Sequence, residues 1–551
     1  MKKLLCLLLA MLLLSGCEAR TAAPEPETTE PPSGAAAIEE KLASIHALGE
    51  SPDDRYRTFY EIFVYSFRDS DGDGIGDLQG VISGLDYLQE LGITGIWLMP
   101  IHPSPSYHKY DVLDYYSVDP AYGTMEDMEE LLRETEKRGI RVIMDLVLNH
   151  TGSDHPWFSE ACSYLKNLAP GEAPDPEVCP YVDYYNFRQE ETCPGGFHPV
   201  PDAEGWFYEG RFSPQMPDVN FDSPALRQEQ ENVMAFWLSR GVDGFRLDAA
   251  KEFYTGQTEK NLEVLTWIRD RVWRQNPNAF LVAEVWDSFM TVAQYYESGF
   301  PSFFDFPFGA SDGKIIKVLR GAGNASLVSS FAEAQEKAYG AYGKGNPNFM
   351  DAPFLSNHDV GRIAGFTGRT AEKTKLAGAM NLFMSGSAFI YYGEEIGMVA
   401  GAVDDPSYRA PMYWNGEGIE GVTQPPPGCT LPESYPFLSL REQMEDPDSI
   451  YHYYRQAIAI RNALPAIARG VPRAEAELNQ NSVSACRKTW QDEEAIILMN
   501  ISEEEKLLDL SHYADWDLAV GLSANGEEIL RDGDGLTLPA WGSAILVPKG
   551  K

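Results

Sequence analysis

The chain has 551 residues, 44% hydrophobic and 12% aromatic, enough apolar material for more than one core, since single cores seldom grow past about 250 to 300 residues. Its 83 acidic residues against 44 basic ones leave a formal charge of −39. That balance argues against nucleic acid and against an anionic membrane surface as partners.

Met1-Lys2-Lys3 and the run Leu4 to Leu14 form a basic n-region and an apolar h-region too short to span a bilayer, as in an export signal over residues 1–16. Leu14-Ser-Gly-Cys17 resembles a bacterial lipobox, in which cleavage before Cys17 leaves that cysteine to carry a lipid. The stretch 17–40 is rich in Pro, Thr, Glu and Ala and reads as a flexible stalk. The sequence therefore predicts a chain lipid-anchored to a bacterial membrane facing the exterior, with no other membrane contact.

The first strand is expected over Phe59 to Tyr65, and Asp69-Ser-Asp-Gly-Asp-Gly-Ile-Gly-Asp77 follows it. Its acids at positions one, three, five and nine, with the Ile75 carbonyl at seven, reproduce most of an EF-hand loop. Four uncompensated carboxylates in nine residues repel one another without a cation, so Asp69, Asp71, Asp73, Ile75 and Asp77 are read as calcium ligands. Thr94 to Pro100 is the second strand, followed by a loop from His108 to Asp119 dense in rings and acids.

Arg141 to His150 is a third apolar run, ending in an amide and an imidazole. Residues 151–222 are too long for an ordinary connection and read as an inserted subdomain carrying Cys162, Cys179 and Cys193. Export permits disulfides, and one bridge among these three is expected. Helix Ala225 to Arg240 leads into Gly241 to Ala250, where Arg246 and Asp248 share one face of a strand. Opposite charges on one face of a buried strand mean a salt bridge or an active site. Ala279 to Glu284 and Phe354 to Asp359 are further apolar runs ending in carboxylates, with Ser302 to Phe308 and Ala388 to Tyr392 as sixth and eighth strands. Such strand ends, separated by helical segments, predict a parallel (β/α)8 TIM barrel whose C-terminal rim gathers functional side chains. The barrel is assigned to residues 41–150 and 223–465 and closes with helix Tyr451 to Ala463; short alternating runs over 466–551 predict a C-terminal antiparallel β-sandwich.

The segments DLVLNH (145–150), GFRLDAAK (244–251), AEVW (283–286) and SNHD (356–359) resemble the four signature regions of the alpha-amylase family, glycoside hydrolase family 13, and Gln215 to Asn220 resembles a fifth. The last lies between the patterns of oligo-1,6-glucosidases and neopullulanases. The resemblance implies the barrel with its insertion after the third strand, a calcium in the 69–77 loop, and α-glucan oligo- or polysaccharides as substrates of a retaining hydrolase, expected to be a monomer. It also implies roles residue by residue. Asp248 would be the nucleophile, Glu284 the general acid/base and Asp359 the aspartate holding sugar hydroxyls. His150 and His358 would bond those hydroxyls, Arg246 would orient Asp248, Tyr110 would stack on the sugar with Asp111 nearby, and Lys251 would line the substrate site. Asp145 and Asp218 read as support. Many calcium-dependent relatives have Lys-His where this chain has Lys251-Glu252, so no second ion is implied at Asn149. Ala249 follows the nucleophile where relatives preferring α-1,6 bonds carry valine, which points to α-1,4 bonds. Neopullulanase, cyclomaltodextrinase, α-glucosidase or transglycosylase activity uses the same residues. An inactive glucan-binding protein would have no use for all three carboxylates.

Overall fold

A computed structural model describes residues 55–169, 171–415 and 421–550; the export signal, Cys17 and the 17–40 stalk lie outside the described residues. Among the described residues no helix is long and apolar enough to cross a membrane.

Six parallel strands form the main sheet: β1 (Thr58–Ile62), β2 (Gly95–Leu98), β3 (Arg141–Leu146), then, beyond the insertion, β7 (Gly244–Leu247), β8 (Phe280–Ala283) and β9 (Ala388–Tyr391), in the order β8-β7-β3-β2-β1-β9. The circle is closed by parallel bridges Ala283 to Phe303, Phe304 to Ala352 and Phe354 to Phe389. These bridges stand where the sixth and seventh strands were expected. Pro301, Pro307 and Pro353 bracket them, and each removes a backbone N–H that a longer ladder would need.

Strand register sorts the barrel interior into layers. Phe59 pairs with Phe389, Ile143 with Gly244 and Gly244 with Phe280, so the lower layer is apolar and aromatic, with Phe59 stacked on Phe389 at 4.8 Å. Gly244 has no room for a side chain here, since a Cβ would lie 1.9 Å from the Phe280 carbonyl oxygen. Two residues higher, Glu61 pairs with Trp97 and Tyr391, and Asp145 with Arg246. The side-chain period of two thus lifts the charges to the C-terminal end, above a greasy plug.

Between β3 and β7 the chain leaves the barrel. It forms the helix Pro156–Lys166 and a small sheet of β4 (Phe187–Gln189), β5 (Phe197–Pro199) and β6 (Trp206–Glu209), in the order β4-β6-β5. The bridge from His150 to Asp218 ties its return to the end of β3. The expected disulfide is not formed: Cys162 and Cys179 are buried free thiols, and Cys193 is exposed, its thiol donating to the Phe197 carbonyl at 3.1 Å.

After the helix Ile450–Ala463 come eight strands: β10 (Val471–Ala474), β11 (Val483–Trp490), β12 (Glu493–Asn500), β13 (Lys506–Asp509), β14 (Trp516–Ser523), β15 (Leu530–Asp532), β16 (Gly535–Leu538) and β17 (Gly542–Pro548). They make a five-stranded antiparallel sheet, β10-β11-β12-β17-β14, facing a three-stranded one, β13-β16-β15, across a core that includes Leu498, Leu536 and Leu546. Lys488 of β11 reaches out of this unit and donates to the Phe383 and Ile467 carbonyls and the Ser385 hydroxyl, tying it to the barrel.

Candidate active site

Arg246 is fully buried at the upper end of β7, and three carboxylates converge on it. Its Nη1 donates to both oxygens of Asp145 at 2.8 and 2.9 Å and to Asp248 Oδ1 at 2.8 Å, while Nη2 donates to Glu284 Oε2. The guanidinium lies over the Trp97 ring at 5.1 Å, so stacking holds its plane as the bonds hold its edge. One cation therefore spans Asp248 just past the end of β7 and Glu284 just past the end of β8.

The third carboxylate, Asp359, sits in its own cationic clamp. His358 Nε2 lies 3.1 Å from Asp359 Oδ2, and Arg409 Nη2 donates to Oδ1 at 2.8 Å. Burial alone would raise the Asp359 pKa, but His358 and Arg409 outweigh it and hold this carboxyl well below the usual range. Glu284 behaves oppositely. Burial dominates, partly opposed by Arg246 and reinforced by the charges of Asp248 and Asp359, and its carboxyl is pushed up to about 8. Burial likewise lifts Asp145 to about 6 despite Arg246. Within one cluster, burial thus favours a protonated Glu284 while the cationic clamp favours an ionised Asp359.

Other residues singled out in the sequence surround this cluster. Tyr110 is buried; its hydroxyl donates to Asp145 Oδ2 at 2.9 Å and meets His358 Nε2 at 2.7 Å, and its ring stacks on His358 at 5.4 Å. Asp111 accepts from the hydroxyls of Ser104 and Ser106, which bind it into its own loop. His150 is buried at the end of β3, its Nε2 lacking any protein hydrogen-bond partner. Lys251 stands apart from the carboxylates on the rim, where its ammonium bonds Asp287 at 3.0 Å and the Trp286 carbonyl at 3.3 Å. Trp286 itself is 51% exposed and stacked on Phe306 at 5.0 Å.

Asn149 donates its amide to Asp218 Oδ1 at 3.1 Å, and Asp218 Oδ2 accepts from the Arg211 N–H at 2.8 Å. Burial pushes Asp218 up to about 7. The insertion is thus pinned to the barrel rim by direct hydrogen bonds.

Two residues of the cluster escaped the sequence reading. Glu61 is a single acid inside the apolar strand β1, and its Oε1 lies 2.6 Å from His358 Nδ1. Arg409 comes from the long segment after β9. An acid in an otherwise apolar strand was a legible signal for Glu61, by the same argument that singled out Asp248. Nothing in the residues around Arg409 marked it.

In the 69–77 loop, oxygens of Asp69, Asp71 and Asp77 all lie within 4.8 Å of one another, and this group does not include Asp73. Asp77 also caps the helix Leu78–Ser83 by accepting from the Gly80 N–H, and the Gln424 N–H donates to the Gly74 carbonyl at 2.7 Å. Three carboxylates are the all-oxygen donor chemistry of a hard cation such as calcium, which takes about six to eight oxygens and would draw the rest from nearby carbonyls and water.

Residues 61–470 match the profile described as the alpha-amylase catalytic domain. Alpha-amylase 3 of Dictyoglomus thermophilum is 38% identical over 86% of this chain and 89% of its own length. A glucan 1,6-alpha-glucosidase of Streptococcus pneumoniae is 30% identical over 81% of this chain and 91% of its own. The solved structure of Eubacterium rectale Amy13B superposes with a TM-score of 0.89 at 42% identity, covering 95% of this chain and 100% of that one. Family members usually bind calcium. On this match, and with a barrel that gathers the signature segments around Arg246, the chain belongs to the alpha-amylase family of glycoside hydrolases.

Proposed function

We propose that the chain hydrolyses α-1,4-glucosidic bonds in starch-like glucans and maltodextrins with retention of configuration. The observation that carries this reading is the single Arg246 guanidinium bonded to both Asp248 and Glu284, which gathers the two carboxyls on one cation; a retaining mechanism needs such a pair close together, about 5 to 5.5 Å apart. Glu284, protonated at neutral pH, gives its proton to the glycosidic oxygen as the Asp248 carboxylate attacks the anomeric carbon from the opposite face. The leaving chain departs, and a β-linked glucosyl ester remains on Asp248. Glu284, now a carboxylate, takes a proton from a water that attacks the same carbon and frees Asp248. Two inversions give an α-configured product. Asp359, ionised in its clamp, accepts sugar hydroxyls.

Ala249 supports the α-1,4 assignment. It stands immediately after Asp248, where relatives that prefer α-1,6 bonds carry valine. Proton NMR of the first product from maltoheptaose should show the α anomer. Release of the β anomer would overturn the nucleophile assignment, faster cleavage of isomaltose would overturn the bond assignment, and products longer than the substrate would reveal glucosyl transfer in place of hydrolysis.

We also infer that a calcium ion is held by Asp69, Asp71 and Asp77, joined by Asp73 and the Ile75 carbonyl, and that it stabilises the fold without entering the chemistry. A chelator should lower Tm, since an ion that binds only the folded chain stabilises it by mass action. Melting curves that coincide with and without chelator would exclude the ion.

For the N-terminus we propose lipid attachment at Cys17 and display of a monomeric enzyme on a bacterial membrane facing outward. The Cys17→Ala chain should lose lipid labelling and leave the membrane fraction. Unaltered fractionation would refute the anchor.

A further inference from the structure

Glu61 lies at one end of a hydrogen-bonded chain centred on His358, and the hydrolytic steps give Glu61 itself no role. It is 1% exposed on β1, 297 residues from His358 in sequence, and its Oε1 is 2.6 Å from His358 Nδ1. On the other side of the same ring, Nε2 lies 2.7 Å from the Tyr110 hydroxyl and 3.1 Å from Asp359 Oδ2. The Tyr110 hydroxyl donates its proton to Asp145, so it receives one from His358. An imidazole with an acid against each nitrogen has a use for a proton on both.

We propose that Glu61 is a positioning residue that keeps His358 a doubly protonated imidazolium, so that its Nε2–H is always present, shared between the Tyr110 hydroxyl and Asp359, and holds that carboxylate for the sugar. This rests on the sugar-holding role proposed for Asp359. Glu61 touches neither substrate nor reacting atoms and acts only through the ring. Losing its charge would let His358 become neutral. The proton would then stay on Nδ1 or Nε2 but not on both, and the tautomer protonated on Nδ1 would turn a lone pair toward Asp359.

The charges around the ring are mixed. Acids face it from β1 (Glu61), β3 (Asp145), the end of β8 (Glu284), its own segment (Asp359) and the segment after β9 (Asp405), whereas Arg246 and Arg409 oppose them. Burial works against the cation, but Asp359 and Glu61 together prevail, and the His358 pKa is pushed up to about 10. Glu61 is itself raised by burial, an effect that His358 partly offsets. The two partners therefore stabilise each other's charged forms.

Nitrogen NMR of ring-labelled enzyme tests this without substrate, so it separates Glu61's effect from the hydrolytic reading. In the unmodified enzyme both His358 nitrogens should remain protonated at pH about 8, where an ordinary histidine is neutral; a neutral ring there would overturn the proposal even if no variant folds. Glu61→Gln should deprotonate the ring between pH about 5.5 and 8, and its kcat/KM relative to the parent should fall about tenfold over that interval. Glu61→Asp, which keeps the charge, should hold that ratio flat. In a His358→Gln background, Glu61→Gln should cause no further pH dependence. A Glu61→Gln profile parallel to the parent, or a doubly protonated ring in that variant, would reduce Glu61 to packing.

Discussion

Asp248→Asn is expected to lower kcat by about 10⁴ to 10⁶-fold, the scale of losing a covalent nucleophile, and Glu284→Gln by about 10² to 10⁴-fold, the scale of losing a general acid. The two losses differ in kind as well as size. With an activated α-maltosyl substrate whose leaving group departs without a proton, the glutamate variant should still form the covalent ester, while the aspartate variant should not. Added azide then separates the roles. In Asp248→Ala it can attack from the side that the carboxylate left, giving the β-azide. In Glu284→Ala it intercepts the ester from the other side, giving the α-azide. Swapped anomers would exchange the assignments. The pH dependence follows from the same environment. Glu284 is lifted by burial to about 8 and, as the proposed acid, acts only when protonated, so kcat/KM should decline as pH rises through about 8. Glu284→Gln should lack that limb; a limb that persists unchanged would belong to another group.

The barrel and its carboxylates were legible because each carboxylate stands at the end of a short apolar run, where the cost of burying a charge makes it conspicuous. Arg246 beside Asp248 showed itself through spacing alone, and the structure brings Asp145, Asp248 and Glu284 onto that one guanidinium. Distance along the chain hid other parts. Arg409 meets Asp359 from 50 residues away, out of a segment without strand or helical periodicity. Strand limits were overestimated where prolines cut the ladder at the sixth and seventh positions. Among the three cysteines, composition suggested a bridge, but their depths differ, two buried and one exposed, and no periodicity reports depth within an irregular insertion.

Arg246→Leu should cost about 3 to 5 kcal/mol of stability, the usual consequence of removing one partner from a buried ion pair. Asp145 is the reason. It is 1% exposed, two of the guanidinium's bonds end on it, and burial already lifts its pKa to about 6 with Arg246 present. Without that cation it rises further, so the variant folds with Asp145 protonated. A carboxyl whose folded pKa lies above its unfolded value contributes stability that is complete below the unfolded pKa and is lost as pH climbs to the folded one. The stability gap between variant and parent should therefore be widest above pH about 7 and narrow toward pH about 4, where Asp145 carries its proton in both folded chains. Urea unfolding at the two pH values measures this directly. Arg246→Lys separates charge from shape. An ammonium restores much of the compensation for Asp145, yet as a single point it cannot hold Asp248 and Glu284 on two nitrogens of one plane. That variant should recover most of the stability while remaining about 10²-fold or more below the parent in kcat, because misplacing a reacting group by about 1 Å costs that much. Equal stability of Arg246→Leu at both pH values, or a fully active Arg246→Lys, would show that the guanidinium neither neutralises Asp145 nor sets the spacing of the two carboxyls.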